Sequence, residues 1–138
     1  AEAFRRAVAA KPADDYARIQ LAAAHFGAER FDVAGEVVES ALALNPAWLH
    51  RRFDIGDVFS DREEFDRRVR ALETHLVAQD TDAYGRFMLA YVYYFSGNLF
   101  GSRNLLRVLE ERASPIEGID AMAREAEHRL TRARDAGR

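Results

Sequence analysis

The chain has 138 residues and a formal net charge of −3, and 49% of its residues are hydrophobic while 31% are charged. These proportions are typical of a globular chain long enough for one compact domain or a short array, and the absence of cysteine excludes disulfides and thiolate metal sites. Acidic and basic residues are mixed along the whole sequence, so it lacks the clustered basic stripe of a nucleic-acid-binding surface, and we expect no nucleic-acid partner.

The first predicted element is a helix over residues 1–12, AEAFRRAVAAKP. Glu2, Arg5 and Arg6 interrupt its alanines, so the stretch lacks the apolar run of a signal peptide. The sequence therefore does not indicate a cellular compartment.

Residues 13–46 predict a pair of helices. Asp14 is a candidate N-cap for the first helix, in which Ile19 and Phe26 recur at the spacing of one helix face. Gly27 lies at the predicted turn into the second helix.

Residues 47–80 repeat this pattern 34 residues later, and residues 81–114 repeat it again. Similar side chains return at this interval in Tyr16–His50–Tyr84, Arg18–Arg52–Arg86, Ile19–Phe53–Phe87, Leu21–Ile55–Leu89, Ala22–Gly56–Ala90, Phe31–Phe65–Leu99 and Val38–Leu72–Leu106. A fixed period of this length is typical of repeat architectures. Within the second unit, Ser60-x-x-Glu63 or Asp61-x-x-Glu64 predicts a capping box for a helix that ends near Gln79.

The third unit contains nine consecutive apolar or aromatic residues, FMLAYVYYF, at positions 87–95. A membrane-spanning helix needs about 18 apolar residues or more, so this run is too short to span a bilayer. We expect no membrane insertion. Gly97 and Asn98 then predict a tight turn.

The last predicted element is a helix that starts at Ser114-Pro115-x-Glu117, with the proline at its first helical position. Its apolar residues lie on one side, and the sequence beyond Leu130 is rich in arginine. This pattern is typical of the capping helix that shields the apolar end of a repeat array.

The period and its columns resemble the tetratricopeptide repeat. The first unit, YARIQLAAAHFGAERFDVAGEVVESALALNP, carries the resemblance best, through Leu21-Ala22, Ala34, Val38 and Pro46. The resemblance implies an all-α fold of antiparallel helix hairpins in a right-handed superhelical array with a C-terminal capping helix. The strong bias of the basic residues toward arginine suggests a GC-rich genome, and we expect an array of bacterial type.

The resemblance also implies a layout for the single domain. It assigns the second helix of a truncated repeat to 1–12, repeat 1 to 13–46, repeat 2 to 47–80, repeat 3 to 81–114 and the capping helix to 115–138. Repeat 2 is degenerate, because Arg68 and His75 stand where the family has small residues and Asp80 stands where it has proline. We expect looser helix pairing there.

In this family the first helix of each unit lines a concave groove, and the resemblance carries those positions onto this sequence. The candidate peptide-binding or partner-binding residues are Tyr16, Ile19, Phe53, Asp54, Asp57, Tyr84, Phe87, Met88, Tyr91 and Tyr94. They imply a non-catalytic protein–protein interaction module, with a scaffold or adaptor role, for a peptide that has apolar anchors and a basic residue. The alternatives are self-association into a homo-oligomer, or a regulatory segment of a larger protein.

Two interpretations of the aromatic helix stay open at this point. Either the following helix and the capping helix cover Tyr91 and Tyr94, or these rings form a recognition surface, for which tyrosine is a favoured residue. Asp54, Asp57 and Asp61 are spaced to share one helix face, either as a solvated face or as an acidic patch that contacts a ligand.

No motif in the sequence predicts catalysis. The four histidines lack metal-ligand spacing, and there is no nucleophile elbow and no phosphate-binding glycine loop. We therefore expect neither enzymatic activity nor a cofactor, and we expect the histidines to be packed or partly exposed.

Overall fold

The computed structural model describes residues 15–137, and this part of the chain is all-α, without a β-strand. The expectation of an all-α fold is thus confirmed. The six helices are α1 (Asp15–Gly27), α2 (Phe31–Leu44), α3 (Arg62–Ala78), α4 (Ala83–Tyr94), α5 (Leu99–Glu111) and α6 (Ile119–Ala136). The predicted helix over 1–12 and the predicted cap Asp14 lie outside the described residues.

Side-chain caps fix where three of these helices begin. The Asp61 carboxylate accepts the Glu64 backbone N–H at 2.7 Å and starts α3, which selects the second of the two predicted capping boxes. Asp82 caps α4 and Asn98 caps α5 in the same way. Such a cap satisfies a backbone donor that the first turn of a helix leaves without a partner.

Each helix packs on the next one along the chain, except that α2 packs against α4 and α3 lies to the side. α1 pairs with α2 across a short turn, α2 packs against α4, α4 pairs with α5, and α5 packs against α6. α3 lies against α4 and packs on it more lightly. Helix α4 is therefore the centre of the molecule.

The period of 34 residues has a structural counterpart in the two hairpins. α1 and α4 begin two periods apart, and so do α2 and α5. Ile19 and Phe87, which belong to one column of the repeat, are both buried, as are Ala22 and Ala90 of another column. These two columns of the repeat are thus buried in both hairpins.

The second unit departs from this pattern, because its predicted first helix does not form. Residues 46–60, here called the inner segment, contain only two short 3-10 helices, Pro46–His50 and Ile55–Val58. Between them Arg51 has an extended conformation, and the Asp54 carboxylate accepts the Gly56 N–H at 2.9 Å. This local cap competes with the backbone bonds of an α-helix.

The capping helix also begins later than predicted. α6 starts at Ile119, after Gly118 with φ of 97°, and Pro115 lies in the preceding loop rather than in the first turn. Gly118 faces Leu42 and Phe87, and Ile116 is buried. Packing of this loop on the core therefore delays the helix by one turn.

Helix α4 is buried on nearly every side. Seven residues of the FMLAYVYYF run lie in the core within α4, namely Phe87, Met88, Leu89, Ala90, Tyr91, Val92 and Tyr94, and Phe95 directly follows the helix. No helix between residues 15 and 137 has both the length and the apolar character needed to cross a lipid bilayer.

Candidate functional site

The candidate site is the face of α4 that meets the inner segment. The Trp48 indole N–H donates a hydrogen bond to the Tyr91 hydroxyl at 3.2 Å in a buried environment. The Tyr94 hydroxyl donates to the backbone carbonyl of Leu49. Two tyrosine hydroxyls of one helix therefore each hold a polar group of the inner segment.

Helix α6 completes the site from the other side. The Arg129 guanidinium donates to the Leu49 carbonyl at 2.7 Å and lies over the Tyr94 ring, 4.6 Å from its centroid. Glu125 lies 3.7 Å from Arg129 and 3.4 Å from His50. The Leu49 carbonyl thus accepts two hydrogen bonds, one from α4 and one from α6.

An aromatic cluster forms the apolar part of the site. The Phe95 ring lies 5.5 Å from Phe53, 6.3 Å from Trp48 and 5.0 Å from Tyr91, measured between ring centroids. The Ile55 backbone N–H donates to the Phe95 carbonyl at 3.1 Å. Tilted and edge-on ring contacts of this kind add to the burial of the rings.

Burial keeps the two hydroxyls protonated. It raises the pKa of Tyr91 well above its ordinary value of 10. The pKa of Tyr94 is also raised, first by burial and further by the Glu125 carboxylate, against the lowering effect of Arg129. The Tyr94 hydroxyl therefore remains a hydrogen-bond donor over the whole range of ordinary pH.

The structure distinguishes the two interpretations of the aromatic helix that the sequence left open. Tyr91 is 0% exposed and Tyr94 is 2% exposed, and Phe87 and Met88 are buried as well. The inner segment and α6 cover Tyr91 and Tyr94. Of the two interpretations of the aromatic helix, burial holds for this structure, and the inner segment joins the capping helix as the cover.

The first-unit candidates lie apart from this site. Ile19 is buried in the core, whereas Tyr16 is 56% exposed at the start of α1. Tyr84 is partly buried at the opposite end of α4 from Tyr94, and its hydroxyl donates to the Glu39 carboxylate at 2.9 Å. The structure thus does not bring the ten predicted residues into one groove.

The second-unit candidates lie on the inner segment. Phe53 is partly buried in the aromatic cluster, while Asp54 and Asp57 are exposed. The expectation that these aspartates and Asp61 share a helix face is wrong, because no α-helix forms at residues 54–57. Asp54 instead caps the second 3-10 helix and Asp61 caps α3, while Asp57 lies in the first turn of the second 3-10 helix.

The sequence patterns did not single out several residues of the site, among them Trp48, Leu49, Phe95, Glu125 and Arg129. Trp48 is the only tryptophan of the chain, and the burial that is usual for this large side chain is a signal that a packing argument could have used. Arg129 carried no such signal. Its role depends on contacts with residues about 80 positions earlier in the chain.

Two of the histidines, His25 and His75, take part in close side-chain contacts. His75 lies 2.7 Å from the Asp82 carboxylate and packs against the Phe31 ring, and His25 accepts a hydrogen bond from the Arg30 side chain at 2.9 Å. Burial, followed by the Arg30 charge, lowers the pKa of His25. Within residues 15–137, no group of three or more potential ligands is arranged to hold a metal ion.

Comparison with protein family models, with curated proteins and with solved structures finds no match to this chain. Its function must therefore be argued from its own residues.

Proposed function

We propose that the chain is a non-catalytic protein-binding module with a scaffold or adaptor role. In this proposal its hairpins form a tetratricopeptide-like right-handed array, and a segment of a partner binds where the inner segment meets α4 and α6. The single observation that carries the proposal is the pair of buried hydroxyls, Tyr91 and Tyr94, each of which holds a polar group of an irregular segment of chain.

The array is supported by the two hairpins that repeat at the period of the sequence. Consecutive helices joined by short turns, as α1 with α2 and α4 with α5, pack as antiparallel neighbours. Ile19 with Phe87 and Ala22 with Ala90, each pair from one column, are buried in both hairpins. In such an array neighbouring units form a continuous surface that suits extended peptides.

The choice of partner is supported by the chemistry around the site. Aromatic rings and an arginine, here Phe95, Tyr94 and Arg129, are the side chains that dominate binding energy at protein interfaces. Asp54 and Asp57 add exposed negative charge at the edge of the cluster. We therefore propose a partner segment with apolar anchors and a basic residue.

The test is capture of partners from extracts of the source organism by the intact chain and by the double variant Asp54→Asn, Asp57→Asn. We expect the variant to lose at least half of the captured partner, because its edge no longer attracts the basic residue. The matched control is Glu63→Gln with Glu111→Gln, which removes two exposed acidic groups from α3 and α5. Equal capture by both double variants would refute the charge-dependent site.

Light scattering over a range of protein concentration tests the main alternative. A chain that stays monomeric at high concentration argues against self-association as its function. A mass that doubles with concentration, together with no captured partner, favours the homo-oligomer over the proposed adaptor.

A further inference from the structure

We propose that the inner segment is an intramolecular occupant of the partner site, and that a partner binds by displacing it with a peptide of the same chemistry. That chemistry is an N–H-bearing aromatic anchor and a second aromatic anchor five residues later, with basic residues between them, as in Trp48-Leu49-His50-Arg51-Arg52-Phe53. This inference rests on the proposed function and deepens it.

The contacts of the inner segment are those of a bound peptide. Trp48 inserts its ring and donates one hydrogen bond, Leu49 offers its backbone carbonyl to Tyr94 and Arg129, and the Ile55 N–H bonds to a backbone carbonyl just beyond α4. Peptide recognition commonly combines backbone hydrogen bonds, which are independent of sequence, with pockets for alternating side chains. Both elements are present here within one chain.

The outward side of the inner segment is polar. His50, Arg51, Arg52, Asp54 and Asp57 are exposed, whereas Trp48, Leu49 and Ile55 point into the core. The segment has no α-helix and no strand, and its two 3-10 helices have five and four residues. Few backbone bonds of its own therefore hold it in place, which favours local opening.

The hydroxyls of Tyr91 and Tyr94 would be costly in a core built for packing alone. A buried hydroxyl without a hydrogen-bond partner lowers the stability of the fold more than an apolar group of the same shape does. In a core that serves packing alone, phenylalanine would avoid that loss. Hydroxyls that reach an indole N–H and a backbone carbonyl instead give the site its preference for what occupies it.

The inner segment also places basic residues beside an acidic group that α6 contributes. His50 lies 3.4 Å from Glu125, and Arg51 lies over the Trp48 ring at 5.2 Å from its centroid. Basic residues thus stand between the two aromatic anchors and beside a carboxylate of α6. A displacing peptide with the same order would find the same groups.

A synthetic peptide with the sequence of residues 46–57, PAWLHRRFDIGD, tests the inference directly. The receiving protein is the full chain with Trp48→Ala and Phe53→Ala, in which the two anchors are removed. Because the chain has a single tryptophan, this variant has none, and the fluorescence of the peptide indole reports binding alone.

We expect the double variant to bind the peptide about tenfold more tightly than the wild-type chain does, because its own segment no longer competes. A peptide with both anchors changed to alanine should not bind. A double variant that keeps its helical circular dichroism and does not bind the peptide would overturn the proposal.

Hydrogen exchange of the wild-type chain covers the case in which the double variant does not fold. The reporter is the Ile55 amide, whose proton is bonded to the Phe95 carbonyl. We expect it to exchange through local opening, at least about tenfold faster than the amides in the middle of α4. Exchange at the same slow rate as those amides would identify the inner segment as permanent core and overturn the proposal.

Peptide binding and partner capture, taken together, separate this inference from the proposed function. Peptide binding without any captured partner would overturn the adaptor function and leave the displaceable segment standing. If partner capture depends on Asp54 and Asp57 but the variant with Trp48→Ala and Phe53→Ala does not bind the peptide, only the displacement is overturned.

Discussion

The indole N–H of Trp48 donates to the Tyr91 hydroxyl across 43 residues of sequence, in a fully buried environment. This contact joins an irregular segment to the central helix of the molecule, next to the bond between Tyr94 and the Leu49 carbonyl. It explains why a helix that is apolar or aromatic all round is compatible with a folded chain, since one face packs on its neighbouring helices and the other on the inner segment.

Removing the two hydroxyls should weaken the fold measurably. Tyr91→Phe and Tyr94→Phe each leave a buried polar group of the inner segment with one hydrogen bond fewer, and we expect each to lower the free energy of unfolding by about 1–2 kcal/mol. Urea denaturation measures the change. Tyr16→Phe is the control, since Tyr16 is exposed, and a loss as large in the control would contradict the assignment.

At Gly35, α2 packs closely on the backbone of α4. A Cβ added there would lie 2.2 Å from the Tyr84 carbonyl oxygen, a backbone atom that cannot move aside cheaply. Gly35→Ala should therefore lower the free energy of unfolding by about 2 kcal/mol or more, although alanine has the higher helix propensity by about 1 kcal/mol.

The matched control for that substitution is Gly27→Ala at the end of α1. There an added Cβ would meet only the Phe59 ring, at an ordinary contact distance of 3.7 Å. We expect thermal unfolding to show a neutral or slightly stabilising effect. If both variants behave alike, the close approach of α2 and α4 is not as described.

The start of α3 distinguishes the two capping boxes that the sequence allows. Asp61→Ala removes the side chain that accepts the Glu64 N–H and should cost about 1 kcal/mol. Ser60→Ala removes only an exposed contact with the Glu64 carboxylate, and we expect a smaller effect. Chemical denaturation of the two variants side by side provides the comparison, and a larger loss for Ser60→Ala would reverse the assignment.

The chain should lose stability in alkaline solution because of its buried tyrosines. Burial raises the pKa of Tyr91 and Tyr94 in the folded state, whereas in the unfolded chain these hydroxyls release their protons near pH 10. Above about pH 10 the unfolded state therefore binds fewer protons than the folded state, and the free energy of unfolding falls as the pH rises.

Urea denaturation between about pH 8 and pH 11 measures this dependence. The variant with Tyr91→Phe and Tyr94→Phe is less stable at neutral pH, yet its stability should fall less steeply above pH 10, because two of the titrating groups are gone. An equal slope in both proteins would show that other groups cause the alkaline loss.

The candidate site could be predicted only in part. The groove positions implied by the resemblance include Phe53, Tyr91 and Tyr94, whose rings all contact Phe95, but the sequence left open whether Tyr91 and Tyr94 are covered. The residues that cover them, Trp48 and Arg129, contact α4 and the inner segment through bonds between residues 43 to 80 positions apart. No local spacing encodes such contacts.

Local patterns in the sequence by themselves determined the all-α class and the hairpins of the first and third units, because helix periodicity acts over a few neighbouring residues. Tertiary structure alone decided that residues 46–60 stay outside an α-helix and that α6 begins after Gly118. In both places the burial of Trp48, Ile55 and Ile116 against distant helices outweighs a local helical preference.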